Sequence, residues 1–421
     1  VLPLPSERQP GNAAIDYLRA LLLLPSPSQD KGMAQRRQEQ LDAWLTIPLD
    51  RLPLAQVESY IEPYTAALRA LELGARRQYC QWQLEDHLRQ EDMSILLEEC
   101  GRYRHLLAIV RLRMRYHLAR SDIQTAWRDW QTGWQFGRDV AQSPTLIRML
   151  VGIALLSQML DSTHDWIQLP QGFNLREALL TLPQPLFDPS FALDGEAAFI
   201  RSSLPQPMGL EDKVLPTTEA LRQLQQSYRI ITQKQPMGAL FLATYAAQCG
   251  PAARAELLRL GQPRDFVERI SDAQAVALRN SLYMRALWHS WRRLFHSSYI
   301  AGQTERQRLQ QQIQKLQKSD DVVLRLLGLS MVSVARSELA FHQLQRRRAA
   351  LLAIETLRLH AMQRKQLPES IDTLSDLPID PATGRPFLYQ RTSQGFRITV
   401  PSVTNNPQAD LIYEFTIRQT Q

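Results

Sequence analysis

The chain has 421 residues, 44% of them hydrophobic and 22% charged, with a formal net charge of +7. This balance excludes wholesale disorder, and so mild a positive excess suits an Arg-rich solvated surface better than a dedicated nucleic-acid face. The 17 Gly are few, and the 25 Pro gather mostly at 1–10, 25–63, 170–216 and 368–407, a pattern of helices broken at a few joints.

Residues 11–24 read as a first helix, capped by Asn12, with Ile15, Leu18 and Leu22 recurring at helical spacing. A second spans 33–47, with Leu41, Trp44 and Leu45 on its apolar side. Pro48 and Pro53 interrupt, and 54–73 resumes the helical pattern with a kink or split expected at Pro63. The clearest helical hairpin is 102–142. Its first arm carries the stripe Leu107, Val110, Met114 and Leu118, with Arg102, Arg104, Arg111, Arg113 and Arg115 mostly on other faces. Ser121-Asp122 makes the turn, and the second arm places Ile123, Trp127, Trp130 and Trp134 on one side. Two helices joined this tightly bury such stripes against each other or a neighbour. Another helix follows Pro144, from Leu146 to about Leu160.

Residues 170–216 combine Pro with Phe173, Phe187, Phe191 and Phe199, which suits an ordered connection with short helices at 174–182 and 194–203 rather than a free linker. Helices resume at 217–233, 236–248, 251–260, 263–270 and 272–299. The polar stretch 304–318 keeps a thin seam of Leu309, Ile313 and Leu316, and 320–340 with 342–365 form one long helix or two abutting ones. At Leu367-Pro368 the character changes. Asp380-Pro381-Ala382-Thr383-Gly384 is a turn cluster, and 387–389, 396–400 and 411–417 alternate as half-buried strands, with a hairpin turn at Ser393-Gln394-Gly395.

The fold expected is mainly α: an irregular array of antiparallel helix pairs, tetratricopeptide-like in part, with a small C-terminal antiparallel β meander. Four regions follow along the chain: N-terminal helices at 1–169, the Pro-rich connection at 170–216, C-terminal helices at 217–366, and the meander at 367–421 packed on the last helix. No stretch reads as the roughly 20 apolar residues of a membrane span. The opening Val1-Leu2-Pro3-Leu4-Pro5 is what a processed N-terminus looks like, as after removal of an export signal.

Two resemblances add to this. Leu118-Ala119, Ser121-Asp122, Ala126, Trp130 and Pro144 make the 102–142 hairpin resemble a tetratricopeptide unit, with Ser121 where that pattern has glycine. Asn12-Ala13-Ala14-Ile15-Asp16-Tyr17, Cys80-Gln81-Trp82, the 102–160 helices, and the run from Leu367-Pro368-Glu369 through Asp380-Pro381-Ala382-Thr383-Gly384-Arg385-Pro386-Phe387 together resemble an uncharacterised family of exported bacterial helical proteins. The last segment is also similar to the C-terminal end of secretion-system pseudopilins, whose N-terminal assembly helix has no counterpart here, so their function is not carried over. What the resemblances imply is an exported or periplasmic location and helical architecture.

Chemistry-bearing motifs are sparse. GxGxxG, GxxxxGK[ST], CxxC and HExxH do not occur, and Gly328-Leu329-Ser330 falls inside a helix rather than at a nucleophile elbow. Cys80 and Cys100 are close enough in sequence to pair in an oxidising compartment, though buried free thiols are the simpler outcome for them and Cys249. Among the eight His, His289 and His296 share one helical face, as do Glu338 and His342, but no set of three converges. Adjacent Glu85-Asp86 and Glu98-Glu99 point in different directions on a helix. Glu196, on an apolar flank, suits a helix-start carboxylate or burial against an Arg. Trp288-His289-Ser290-Trp291-Arg292-Arg293-Leu294-Phe295-His296 mixes aromatic and basic side chains, which can stack bases, but the steps of three and four between Trp288, Trp291 and Phe295 favour burial. Arg346-Arg347-Arg348 reads as a solvated helix face.

No catalytic, metal-binding or cofactor-binding residue is assigned, and no cofactor is expected. The candidates for a binding surface are Trp127, Trp130, Trp134, Glu196, Trp288, His289 and His296. The expected function is a non-enzymatic helical scaffold or binding protein of the bacterial cell envelope that presents a concave surface to a protein or peptide partner. Association with an envelope surface is compatible with this, and nucleic acid is disfavoured. The alternative is an enzyme, such as a hydrolase, with a carboxylate-containing interhelical cleft, around Glu196 for example.

Overall fold

The computed structural model describes residues 2–26, 30–82, 93–167, 169, 174–203, 211, 213–231, 238–371, 374, 376–393, 395–403 and 410–416. The molecule is mainly helical, with a small C-terminal antiparallel sheet of three strands. Its contacts group Val1–Ala192 with Ala340–Gln421 as one compact unit and Leu193–Leu339 as another. Phe173, Glu85-Asp86, Gln394 and the side chain of Phe199 lie outside the described residues.

The first unit begins with β1 (Gln9–Asn12) and α1 (Ala13–Leu22), where Asn12 accepts a hydrogen bond from the Ala14 N–H and so caps the helix. α2 (Lys31–Trp44) is capped in the same way by Asp30. Pro63 does split the next segment: α3 (Leu54–Ile61) and α4 (Thr65–Ala75) are separated by a 3-10 turn at Glu62–Tyr64. β2 (Arg77–Tyr79) then pairs in parallel with β1, matching Gln9 to Arg77 and Asn12 to Tyr79. This two-stranded pair has no alternating pattern to announce it, and its partners are 67 or more residues apart.

α5 (Met93–Ala119) and α6 (Ile123–Ala141) form the expected hairpin. Leu107, Val110, Met114 and Leu118 are all buried. Ser121 takes φ 61° at the turn, the left-handed geometry for which glycine is the easier residue. α7 (Leu146–Ile167) packs on both arms, making a three-helix layer rather than an isolated repeat unit. Gly152 permits a close approach of α6 and α7, since any Cβ there would overlap the Ala141 backbone. α7 is long and apolar enough, by length and composition, to cross a membrane, which the sequence reading did not anticipate. Two thirds of that window is buried against protein, and the helix as a whole carries Arg148 and Asp165, ion-paired with Glu99 and Arg115.

Short α8 (Arg176–Leu180) and the start of α9 (Ser190–Ser203) follow. The chain returns to this unit at Ala340, within the long helix α15 defined below, and ends in β3 (Leu388–Arg391), β4 (Gly395–Val400) and β5 (Leu411–Thr416), ordered β3-β4-β5. Phe396 faces Phe415, and Ile398 faces Tyr413, across the antiparallel register. Phe396, Ile398 and Val400 are buried on one face, as their alternation requires. His164 of α7 stacks on Tyr413 and Phe415 at centroid distances of 5.7 and 6.0 Å, fixing the sheet to the helical layer. The arginine run corrects a sequence expectation. Arg346 and Arg348 are buried, not solvated: Arg346 pairs with Asp380, and Arg348 donates to the Leu179 and Leu182 carbonyls.

The second unit holds α10 (Thr217–Ile231), α11 (Ala239–Arg259), α12 (Arg264–Arg269), α13 (Asp272–His296), α14 (Gln303–Gln317) and the first part of α15 (Val322–Arg364). α11 runs unbroken through Pro251, where two helices were expected. Gly250 lies against the Asp272 side chain with no room for a Cβ, and packing on α13 supports a helix that continues past the proline. α15 is one continuous helix. Leu224, Ala246, Leu257, Val276 and Leu278 are among the residues that make this unit's core.

Candidate functional site

The residues singled out from sequence separate into core and surface. Trp130 and Trp134 are fully buried and Trp127 is half-buried. Their rings cluster with Trp166 of α7, Trp127–Trp166 at 5.5 Å and Trp130–Trp166 at 5.6 Å between centroids. The stripe is the glue between α6 and α7, so Trp130 and Trp134 offer no binding surface. In the other unit, Trp291 and Phe295 are buried, Trp288 is half-buried, and His289 and His296 are exposed. α9 begins at Ser190, which places Glu196 within the helix rather than at its start. Asp194, two residues earlier on the same helix, pairs with Arg292.

All three cysteines are free thiols, and burial raises the pKa of each. Among the described residues, no group of three or more His, Cys, Asp or Glu is placed to hold a metal ion.

The feature that sequence reading misplaced is α1. Its roll is fixed by polar anchors. Tyr17 Oη donates to Asp139 Oδ2 at 2.6 Å, and Gln135 Nε2 donates to Asp139 Oδ1 at 2.7 Å. Arg77 Nε donates to Asp16 Oδ2 at 2.6 Å, and Arg102 donates to the Leu21 carbonyl at the helix end. Asp139 is buried, which pushes its pKa up to about 6 despite these donors. Tyr17 lies over Gly74 of α4, where a Cβ would collide with its ring. Ala13, Ala14, Tyr17, Ala20 and Leu21 therefore face inward, and the helically spaced Ile15, Leu18 and Leu22 face out. Ile15 is 66% exposed, Leu18 40% and Leu22 80%. Their spacing of three and four puts them on one line, with exposed Arg19 beside them. The only acidic residue on this helix is Asp16, which is buried.

A cleft of about 570 Å³ lies between α3 with its following turn and α5, where Glu58, Ser59 and Glu62 face Arg113, Tyr116 and His117. Arg113 is held by Glu72 and by Asp129, with Nε donating to Asp129 Oδ1 at 3.0 Å. Asp129 is wholly buried, and its Oδ2 has no hydrogen-bond partner among the described residues. Burial drives its pKa up to about 7 against the pull of Arg113. His117 Nδ1 lies 3.3 Å from Asp122 Oδ2. Burial lowers the pKa of His117, Arg113 and Arg120 adding to the effect and Asp122 opposing it.

Comparison with protein-family models, with curated proteins and with solved structures finds no match to this chain.

Proposed function

We propose that this is a non-enzymatic helical binding protein whose outward α1 face docks a protein partner. The observation that supports it is the line Ile15, Leu18 and Leu22, exposed on a helix whose other face is pinned by Tyr17 and Asp16. Rotating α1 to hide these side chains would break both anchors. Anchors at i, i+3 and i+7 are the way an amphipathic helix seats in an apolar groove. Arg19 beside the line, with no exposed carboxylate on α1, selects a groove with an acidic rim. The exported, envelope location belongs to the same reading and is supported by the sequence resemblance. The test is quantitative affinity capture from native cell extract with wild type and Ile15→Glu/Leu22→Glu. A partner held by wild type and lost from the variant supports the reading; equal capture by both overturns it.

A second reading has one specific observation behind it. His117, directed by Asp122 and kept neutral by burial, lines a cleft with Glu58, Ser59 and Glu62, which is the arrangement of a general base in a hydrolytic site. It displaces Glu196 as the centre of any enzymatic reading. Hydrolysis of ester or peptide substrates that disappears in His117→Gln, with folding intact, would favour it.

A further inference from the structure

A second cleft in the N-terminal unit, about 390 Å³, opens between α2, α5 and α7. Its wall on α5 carries Arg104, His105, Ala108 and Arg111; Asp42 faces them from α2 and Gln158 from α7. Arginines 113, 115 and 148, on these same elements, are each matched to a carboxylate. Arg111 is not. Its Nε donates to Ser162 Oγ at 2.8 Å, and Nη1 reaches Gln158 Oε1 at 3.5 Å. The nearby carboxylates Asp161 and Asp165 are taken by Arg347 and Arg115. Arg104, two helical turns away along the same wall, is exposed at the cleft. Seven residues of helix separate the two guanidinium stems by about 10 Å, within the span of one small molecule. Arg111 feels Asp161 and Asp165 at a distance, but leaving its guanidinium half-buried with no carboxylate in direct contact costs free energy that an incoming anion recovers.

We infer that this cleft is a binding site for a small oxyanion-bearing molecule, its phosphate or carboxylate seated on Arg111 and Arg104 and a hydroxyl or ammonium donor meeting Asp42. Asp42 already accepts from Gln38 Nε2 at 2.9 Å, so it is oriented to receive a second donor. It also disfavours a ligand with no donor at all. His105 stands 3.3 Å from Tyr64 Oη, and burial keeps it neutral, so it acts as a polar wall and not as a third cation. This inference is independent of the α1 docking face.

The test is thermal and calorimetric titration of the full chain with three probes: inorganic phosphate, glucose 6-phosphate and glutamate, each against potassium chloride at matched ionic strength. The expected result is saturable stabilisation by at least one probe, weakened about tenfold or more in Arg111→Gln, as for loss of a charge-assisted hydrogen bond. Phosphate-only binding identifies a phosphorylated ligand, and glutamate-only binding a carboxylated one. Gly101→Leu keeps both arginines and fills space that is open beside Gly101 in the cleft, so it should also abolish the response without removing charge. Exposed Arg104→Gln, which leaves the packing intact, should weaken it as well. No saturation above the chloride control with any probe, or unchanged affinity in Gly101→Leu and Arg104→Gln, overturns the inference.

Discussion

Arg346 and Asp380 form a two-pronged buried ion pair, Nε to Oδ1 at 2.9 Å and Nη2 to Oδ2 at 2.6 Å. The same Nη2 donates to the Pro401 carbonyl at 2.6 Å, so one guanidinium ties the long helix to the turn cluster and to the end of β4. Asp380 also accepts the Ala382 N–H at 2.9 Å, which shapes the turn itself. Removing one partner leaves an uncompensated buried charge. Asp380→Ala is expected to cost about 3–5 kcal/mol in chemical denaturation. Loss of β signal before helix signal should mark the sheet as the first element released. Wild-type stability in this variant would show that the pair contributes nothing net.

Leu21 and Leu22 are adjacent, and they separate the two possible rolls of α1. Leu21 is 3% exposed and Leu22 80%. Leu21→Ala should cost about 2–5 kcal/mol, and Leu22→Ala less than about 0.5 kcal/mol. The reverse order in urea titrations would put the stripe back in the core and remove the docking face.

Two glycines make opposite predictions. A methyl at Gly152 would overlap the Ala141 backbone, so Gly152→Ala should destabilise the α6–α7 contact by about 1–3 kcal/mol. Gly101 is exposed, with nothing within 4 Å of an added Cβ, so Gly101→Ala should stabilise by up to about 1 kcal/mol through helix propensity. Thermal melts of the two variants, read side by side, test the helix packing directly.

Asp129 gives a pH signature. Its folded pKa, about 7, lies above that of a carboxylate in an unfolded chain, so the native state holds its proton more tightly. Where the native state binds the extra proton, between about pH 4 and 7, stability from this group rises as pH falls and declines as pH rises. The slope is at most about 1.4 kcal/mol per pH unit for one proton. Asp129→Asn keeps an acceptor for Arg113 and removes the titration. Stability measured at pH 5 to 8 should therefore fall less with rising pH in the variant than in wild type. Identical slopes would mean that Asp129 stays ionised throughout.

Periodicity made much of the fold legible before any coordinates. The 102–142 hairpin and the Phe396-Ile398-Val400 alternation are visible because large apolar side chains recur at the period of the element that buries them. α1 misled for the converse reason. Its inner face is built from Ala13, Ala14, Ala20 and Leu21 with one tyrosine fitted over Gly74, and the three alanines carry little hydrophobic signal. Arg346 misled because its partner, Asp380, is 34 residues away and only the fold brings the two together. The parallel β1–β2 pair is too short to alternate. Arg111 was named in the sequence, but that Asp161 and Asp165 pair with Arg347 and Arg115 instead is a property of the packing alone.

The most direct test of the docking face is a photo-crosslinking amino acid placed at position 22, with exposed position 40 on α2 as control, in the native cell. The account predicts a discrete protein adduct from position 22, absent from position 40 and suppressed by Ile15→Glu. No adduct at position 22, or the same adducts from both positions, would contradict it.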